Sequence, residues 1–138
     1  MTTTNSSTMH NYNRQQFISA YIIAALWSST DEEGEPLDSG EYELSAEASD
    51  KLADYAGLAF EAELELIEQF IEETKTDWEQ AGHSFWLSCN GHGCGFFDFN
   101  NSAAADLLDS MCDQYGHYGA KYKGFDLYIG DDGLIHAH

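Results

Sequence analysis

Apolar residues return every three to four positions in the first third of the chain, the spacing of a helix. Phe17, Tyr21, Ala24 and Ala25 make one stripe, and Ile18, Ile22 and Leu26 make the next. The pattern predicts a helix over about 14–28, apolar almost all round and therefore buried. Residues 1–12 are rich in Thr, Ser and Asn and predict a disordered polar tail, with residues 13–138 forming a single domain. The segment 31–43 is punctuated by Gly34, Pro36 and Gly40 and predicts a loop. Ser45 then stands where an N-cap belongs. A second helix is predicted over about 46–74, with Leu52, Tyr55, Ala56, Ala59, Phe60, Leu64, Ile67, Phe70 and Ile71 on its apolar face. Gly57 lies inside it, at a cost of about 1 kcal/mol relative to Ala, and marks a kink or a close packing contact. A short helical turn over 77–81 would end at Gly82.

The period then changes. His83 to Cys89 is rich in strand formers, Asn90-Gly91-His92-Gly93 reads as a turn, and Cys94 to Asp98 returns, which together predict a β-hairpin. A third helix is predicted over about 102–115, stopped by Gly116. Phe125 to Ile129 and Leu134 to His136 read as two strands joined by Asp131-Asp132-Gly133. The expected fold is α+β: about three helices packed on a small antiparallel sheet of about four strands.

Charge changes the picture. Twenty-five Asp and Glu face five Lys and Arg, a formal net charge of −20 in 138 residues. A small soluble domain is usually kept within about 2–8 charges of zero, and self-repulsion on this scale costs stability. Nucleic acid and anionic membranes need a basic footprint that these five scattered cations cannot supply. The expected partner is instead basic: the cationic groove of a protein, or a metal ion. The three cysteines, Cys89, Cys94 and Cys112, are an odd number, and no stretch reads as a signal peptide or a membrane span. The expectation is reduced thiols in a cytoplasm.

The carboxylates are placed, not spread. None precedes Asp31, and eighteen lie between Asp31 and Glu79. On the second predicted helix, Glu47, Asp50, Asp54, Glu61, Glu65, Glu68 and Glu72 follow one another by three, four or seven residues, which keeps them on one face. At 1.5 Å of rise per residue they recur about every 5–6 Å, close to the roughly 6–7 Å between phosphates along a strand, whose axial rise is about 3.4 Å. Glu73, Asp77 and Glu79 extend the line, and Asp31, Glu32, Glu33 and Glu35 in the preceding loop could add a second. A solvated face would mix in lysines, but here Lys51 and Lys75 stand only at the ends. The stripe predicts a DNA mimic that offers carboxylates where a DNA-binding protein expects phosphates. The bland alternative is an acidic face kept for solubility.

Other chemistry is weaker. Straight-helix carboxylates a turn apart do not converge on a metal, and no EF-hand spacing is present. Cys89-x-x-His92-x-Cys94, with His83 and His136 nearby, holds zinc-ligand types in no standard zinc pattern. A Cys-His pair lacks a third orienting group, and Gly91-x-Gly93-x-Gly95 lacks the ending of a phosphate loop. The aromatics Trp78, Phe85, Trp86, Phe96, Phe97 and Phe99 would serve either as a binding patch or, more simply, as core.

Phe17 to Asp38 and Glu79 to Asp98, with its FWL-x-x-NGHG-x-GF-x-D pattern, resemble a widespread group of small acidic bacteriophage and plasmid proteins of unknown reaction. Leu127 to Gly133 fits the same group. The resemblance implies a mobile-element origin and no particular activity. Arg and a small residue usually stand in that group where Cys89 and Cys94 stand here, which speaks against both cysteines as essential ligands.

The sequence thus predicts no enzyme, no cofactor and no metal. It predicts a DNA-mimic inhibitor in the host cytoplasm that occupies the basic groove of a restriction, CRISPR or DNA-processing protein, and that could form a homodimer through its apolar first helix. The alternatives are an adaptor that uses the aromatic hairpin and a small zinc protein.

Overall fold

The computed structural model describes residues 2–91, 95–99, 101–112 and 120–138. Among these the protein is mostly helical, with α1 (Thr2–Ser28), α2 (Ala46–Ala62), α3 (Leu64–Thr74), α4 (Trp78–Cys89) and α5 (Ala103–Ser110). Two short 3-10 turns, Leu37–Ser39 and Phe96–Asp98, and one two-stranded sheet complete it. The expected architecture of three helices on a four-stranded sheet is therefore wrong.

The error centres on α4. Residues 83–89 are helical, not the first arm of a hairpin. Asp77 caps the helix, its carboxylate accepting from the Gln80 N–H at 2.8 Å. Aromatic and β-friendly residues fill it because it is the central helix, with Ala81, Gly82 and everything from Ser84 to Cys89 buried. Tertiary burial overrides local strand preference there. α1 packs along α4 so closely that a Cβ on Gly82 would lie 2.1 Å from the Phe17 carbonyl oxygen. The seam is aromatic. Phe17 meets Phe85 at 5.8 Å, Tyr21 meets Phe85 and Trp86 at 5.4 and 5.3 Å, and the Trp86 indole N–H donates to the Ser28 hydroxyl at 2.7 Å.

The first helix is buried along the expected stripe, with Phe17, Tyr21, Ala24 and Ala25 inaccessible. It is longer than the pattern indicates and takes in the polar segment that precedes Arg14. Ser45 caps α2 as expected, accepting from the Ala48 N–H at 3.0 Å. Gly57 is a close-packing site, because a Cβ there would meet the Arg14 guanidinium at 2.1 Å. The predicted long second helix does not run through. It breaks at Glu63, whose φ of −112° and ψ of 24° leave the helical region.

Beyond α4, the Ser88 hydroxyl accepts from the Phe96 N–H and donates to Asp109, both at 3.0 Å, tying the 3-10 turn at 96–98 and α5 to the central helix. The predicted return strand near Phe96 is thus a 3-10 turn. α5 is shorter than the predicted third helix, and residues 113–116 of that prediction lie outside the described residues.

The C-terminal hairpin is found as expected. β1 (Leu127–Ile129) pairs antiparallel with β2 (Ile135–Ala137), Tyr128 opposite His136. It docks on the entry to α2, where the Ile135 N–H donates to Glu43 O at 2.8 Å and the Ser45 N–H to Ile135 O at 2.9 Å. No helix is long and apolar enough to cross a membrane among the described residues.

Candidate protein-binding surface

All seven stripe carboxylates, Glu47, Asp50, Asp54, Glu61, Glu65, Glu68 and Glu72, are exposed. The break at Glu63 divides them into Glu47, Asp50, Asp54 and Glu61 on α2 and Glu65, Glu68 and Glu72 on α3. Within each helix the three- and four-residue steps hold the acids on one face. The seven-residue gap between Asp54 and Glu61 is filled by Leu58, four after one and three before the other. Leu58 is the most exposed large apolar residue described, at 71 %. The acidic face of α2 therefore carries an apolar residue near its middle.

Glu61 is not a free charge. His10 Nε2 lies 2.8 and 3.0 Å from its two oxygens, and Arg14 Nε lies 3.3 Å away. Arg14 reaches it by lying across Gly57. Neighbouring carboxylates have turned to structural work. Glu63 is buried and accepts from Lys121 and from the Tyr122 hydroxyl. Burial alone would raise its pKa, but those two hydrogen bonds and the Lys121 charge outweigh it and hold the carboxyl below its ordinary range. The Tyr122 hydroxyl is pushed well up by burial and then by Glu63. Glu73 accepts from Gln69 at 2.8 Å, from the Ser102 hydroxyl at 2.7 Å and from the Ala104 N–H at 3.2 Å, and these bonds lower its pKa. It thus serves the N-terminus of α5, and Asp77 serves that of α4. Neither acts as a simple extension of the stripe.

The loop acids gather beside the hairpin. Asp31, Glu32 and Glu33 share a shallow groove of about 390 Å³ with Thr30, Tyr42, Tyr128 and the flanking hairpin residues. Asp31 is a loop brace, its carboxylate accepting from the N–H groups of Glu33 and Glu35, each at 2.9 Å. Glu32, Glu33 and Glu35 are exposed. Glu41, partial burial, and then Asp31 and Glu33 raise the Tyr42 pKa.

The described members of the predicted hairpin constellation, His83, Cys89 and His136, do not gather as a metal site. Cys89 is buried in the core, and His136 pairs with Asp132 at 2.9 Å instead of approaching it. His92, Gly93 and Cys94 lie outside the described residues, which take in only Asn90 and Gly91 of the predicted turn. Among the described residues no three His, Cys, Asp or Glu side chains gather as a metal site. Phe85, Trp86 and Phe96 are core; of the six aromatics only Phe97 is largely exposed.

These features define a mostly helical protein, with five α-helices among the described residues and acidic outer faces on α2 and α3. Comparison with protein-family models, curated proteins and solved structures finds no match.

Proposed function

We propose that the protein is a DNA-mimic inhibitor, acting in the host cytoplasm, whose α2–α3 face enters the basic groove of a host restriction, CRISPR or DNA-processing protein. The observation that carries this reading is the exposure of six carboxylates without a described basic partner of their own, Glu47, Asp50 and Asp54 on α2 and Glu65, Glu68 and Glu72 on α3. Each trio sits on a preformed helix, so little conformational freedom is lost on binding. Glu61 is assigned a lesser part, because Arg14 already balances it. Glu32, Glu33 and Glu35 are flanking contacts, and Asp31 positions them. Leu58 distinguishes this face from a plain polyanion: charge steers the encounter, while an exposed leucine among the acids offers an apolar anchor that only a protein partner would cover.

The adaptor and zinc readings rested on a hairpin whose first arm is helical, and no described residue favours either.

The test is capture from host lysate by the wild-type protein and by a Glu65→Lys, Glu68→Lys, Glu72→Lys variant, each challenged with excess duplex DNA. The expected result is a DNA-binding protein held by the wild type alone and released by the duplex. The same partner on both baits, indifferent to DNA, would sink the reading.

A further inference from the structure

The outer face of α1 is unlike the rest of the surface. Tyr12, Ile23 and Trp27 are 60 %, 58 % and 41 % exposed. With Gln16, Ser19 and Ala20 they recur every three to four residues, the spacing of a helix-pairing seam. The positions are symmetric about a point between Ser19 and Ala20: 12 mirrors 27, and 16 mirrors 23. Small residues thus stand at the centre, with an aromatic at each end. Trp27 is held in place, since its indole N–H donates to His83 Nε2 at 3.1 Å and the two rings stack at 5.3 Å. Its polar atom is satisfied and its carbons face outward. A shallow groove of about 300 Å³ lies beside Ile23, lined by Tyr12, Gln15, Gln16, Ser19, Ala20 and Glu79.

We infer that this face pairs with the same face of a second copy of the chain, the two α1 helices antiparallel about a twofold axis at Ser19 and Ala20. In that register Ile23 of each copy lies opposite Gln16 of the other, at the groove, and Tyr12 lies opposite Trp27. A twofold contact must be self-complementary, and this one is. Charge selects the occupant. Residues 1–30 hold no Asp or Glu, while the remainder holds all twenty-five and four of the five basic side chains. A second copy approaching the outer faces of α2 and α3 brings carboxylates against carboxylates. Across α1 the helix itself contributes no carboxylate to the contact, although Asp77 and Glu79 line the grooves beside Ile23. A basic partner would be drawn to the opposite character, the acidic face, which this contact leaves open.

Sedimentation equilibrium of the full chain, from micromolar to several hundred micromolar, tests the inference without any DNA or host protein, so its outcome is separate from that of the mimic reading. The expected result is a monomer–dimer equilibrium that tightens as salt screens the two net charges. Ile23→Glu and Tyr12→Glu should each weaken it by about tenfold or more, a loss equal to about 1.4 kcal/mol, with unchanged circular dichroism because both side chains are exposed. Ser19→Cys should trap the dimer as a disulfide far faster than Ser110→Cys, an exposed site on α5. A monomer under all conditions overturns the inference. So does a dimer indifferent to both glutamate substitutions, or trapping at 19 no faster than at 110.

Discussion

At the scale of single residues, the packing is set by positions that propensity undervalues. Gly82 costs its helix about 1 kcal/mol relative to Ala, yet it lets the backbones of α1 and α4 touch. Gly82→Ala should therefore destabilise the protein by about 2–3 kcal/mol through overpacking, read as a lower denaturation midpoint with an unchanged slope. Glu63 makes a second, pH-dependent case. Its folded pKa is depressed, so the stability it contributes is present above its unfolded value and fades as pH falls through the folded one. Glu63→Gln should cost about 1–3 kcal/mol at neutral pH. The gap to wild type should close as both proteins are taken below the ordinary carboxylate range. An equal gap at pH 7 and pH 3 would show that the carboxylate charge contributes nothing there.

At the scale of elements, the sequence is legible where pattern and packing agree. The α1 stripe, the Ser45 cap, the exposure of the acidic positions and the C-terminal hairpin all follow from local spacing. α4 is where they conflict. Trp78, Ala81, Gly82, Phe85, Trp86 and Cys89 do recur at helical spacing, a signal strong enough to find the helix. The strand preference of the aromatic run and the glycines after it mask that signal. The break between α2 and α3 has no such local sign, since Glu63 leaves the helix to reach Lys121 and Tyr122, 58 and 59 residues onward. Spacing likewise cannot distinguish an exposed stripe acid from Glu73, which turns to α5. That contact predicts a shared effect. Ser102→Ala removes the cap of α5 and should cost about 1–2 kcal/mol. Glu73→Ala should lower the melting temperature in the same direction. The double variant should lose less than the sum, because Ser102 and Glu73 are bonded to each other. Additive losses would mean that the two groups act independently.

At the scale of the whole molecule, the excess charge sets stability against binding. A net charge of −20 predicts a melting temperature that rises with added salt, as screening relieves the self-repulsion. Glu72 sharpens the point. It lies in the last turns of α3, where the helix dipole disfavours an anion, and it follows Glu68 by four residues. Glu72→Lys turns the repulsion from Glu68 into an attraction and places a cation at the favoured end, offset in part by Lys75 three residues on, for a net gain of about 0.5–1 kcal/mol. If the stripe exists to meet a basic groove, this same substitution should raise the melting temperature at low salt and weaken partner capture. A face kept only for solvation has no reason to retain a glutamate that its own helix opposes, and would lose nothing from the change. Thermal denaturation at low and high salt, run beside the capture experiment, separates the two. A more stable variant that captures its partner less well marks a residue held against stability for the sake of binding. A more stable variant that captures equally well would remove Glu72 from the binding face and return that end of α3 to solvent.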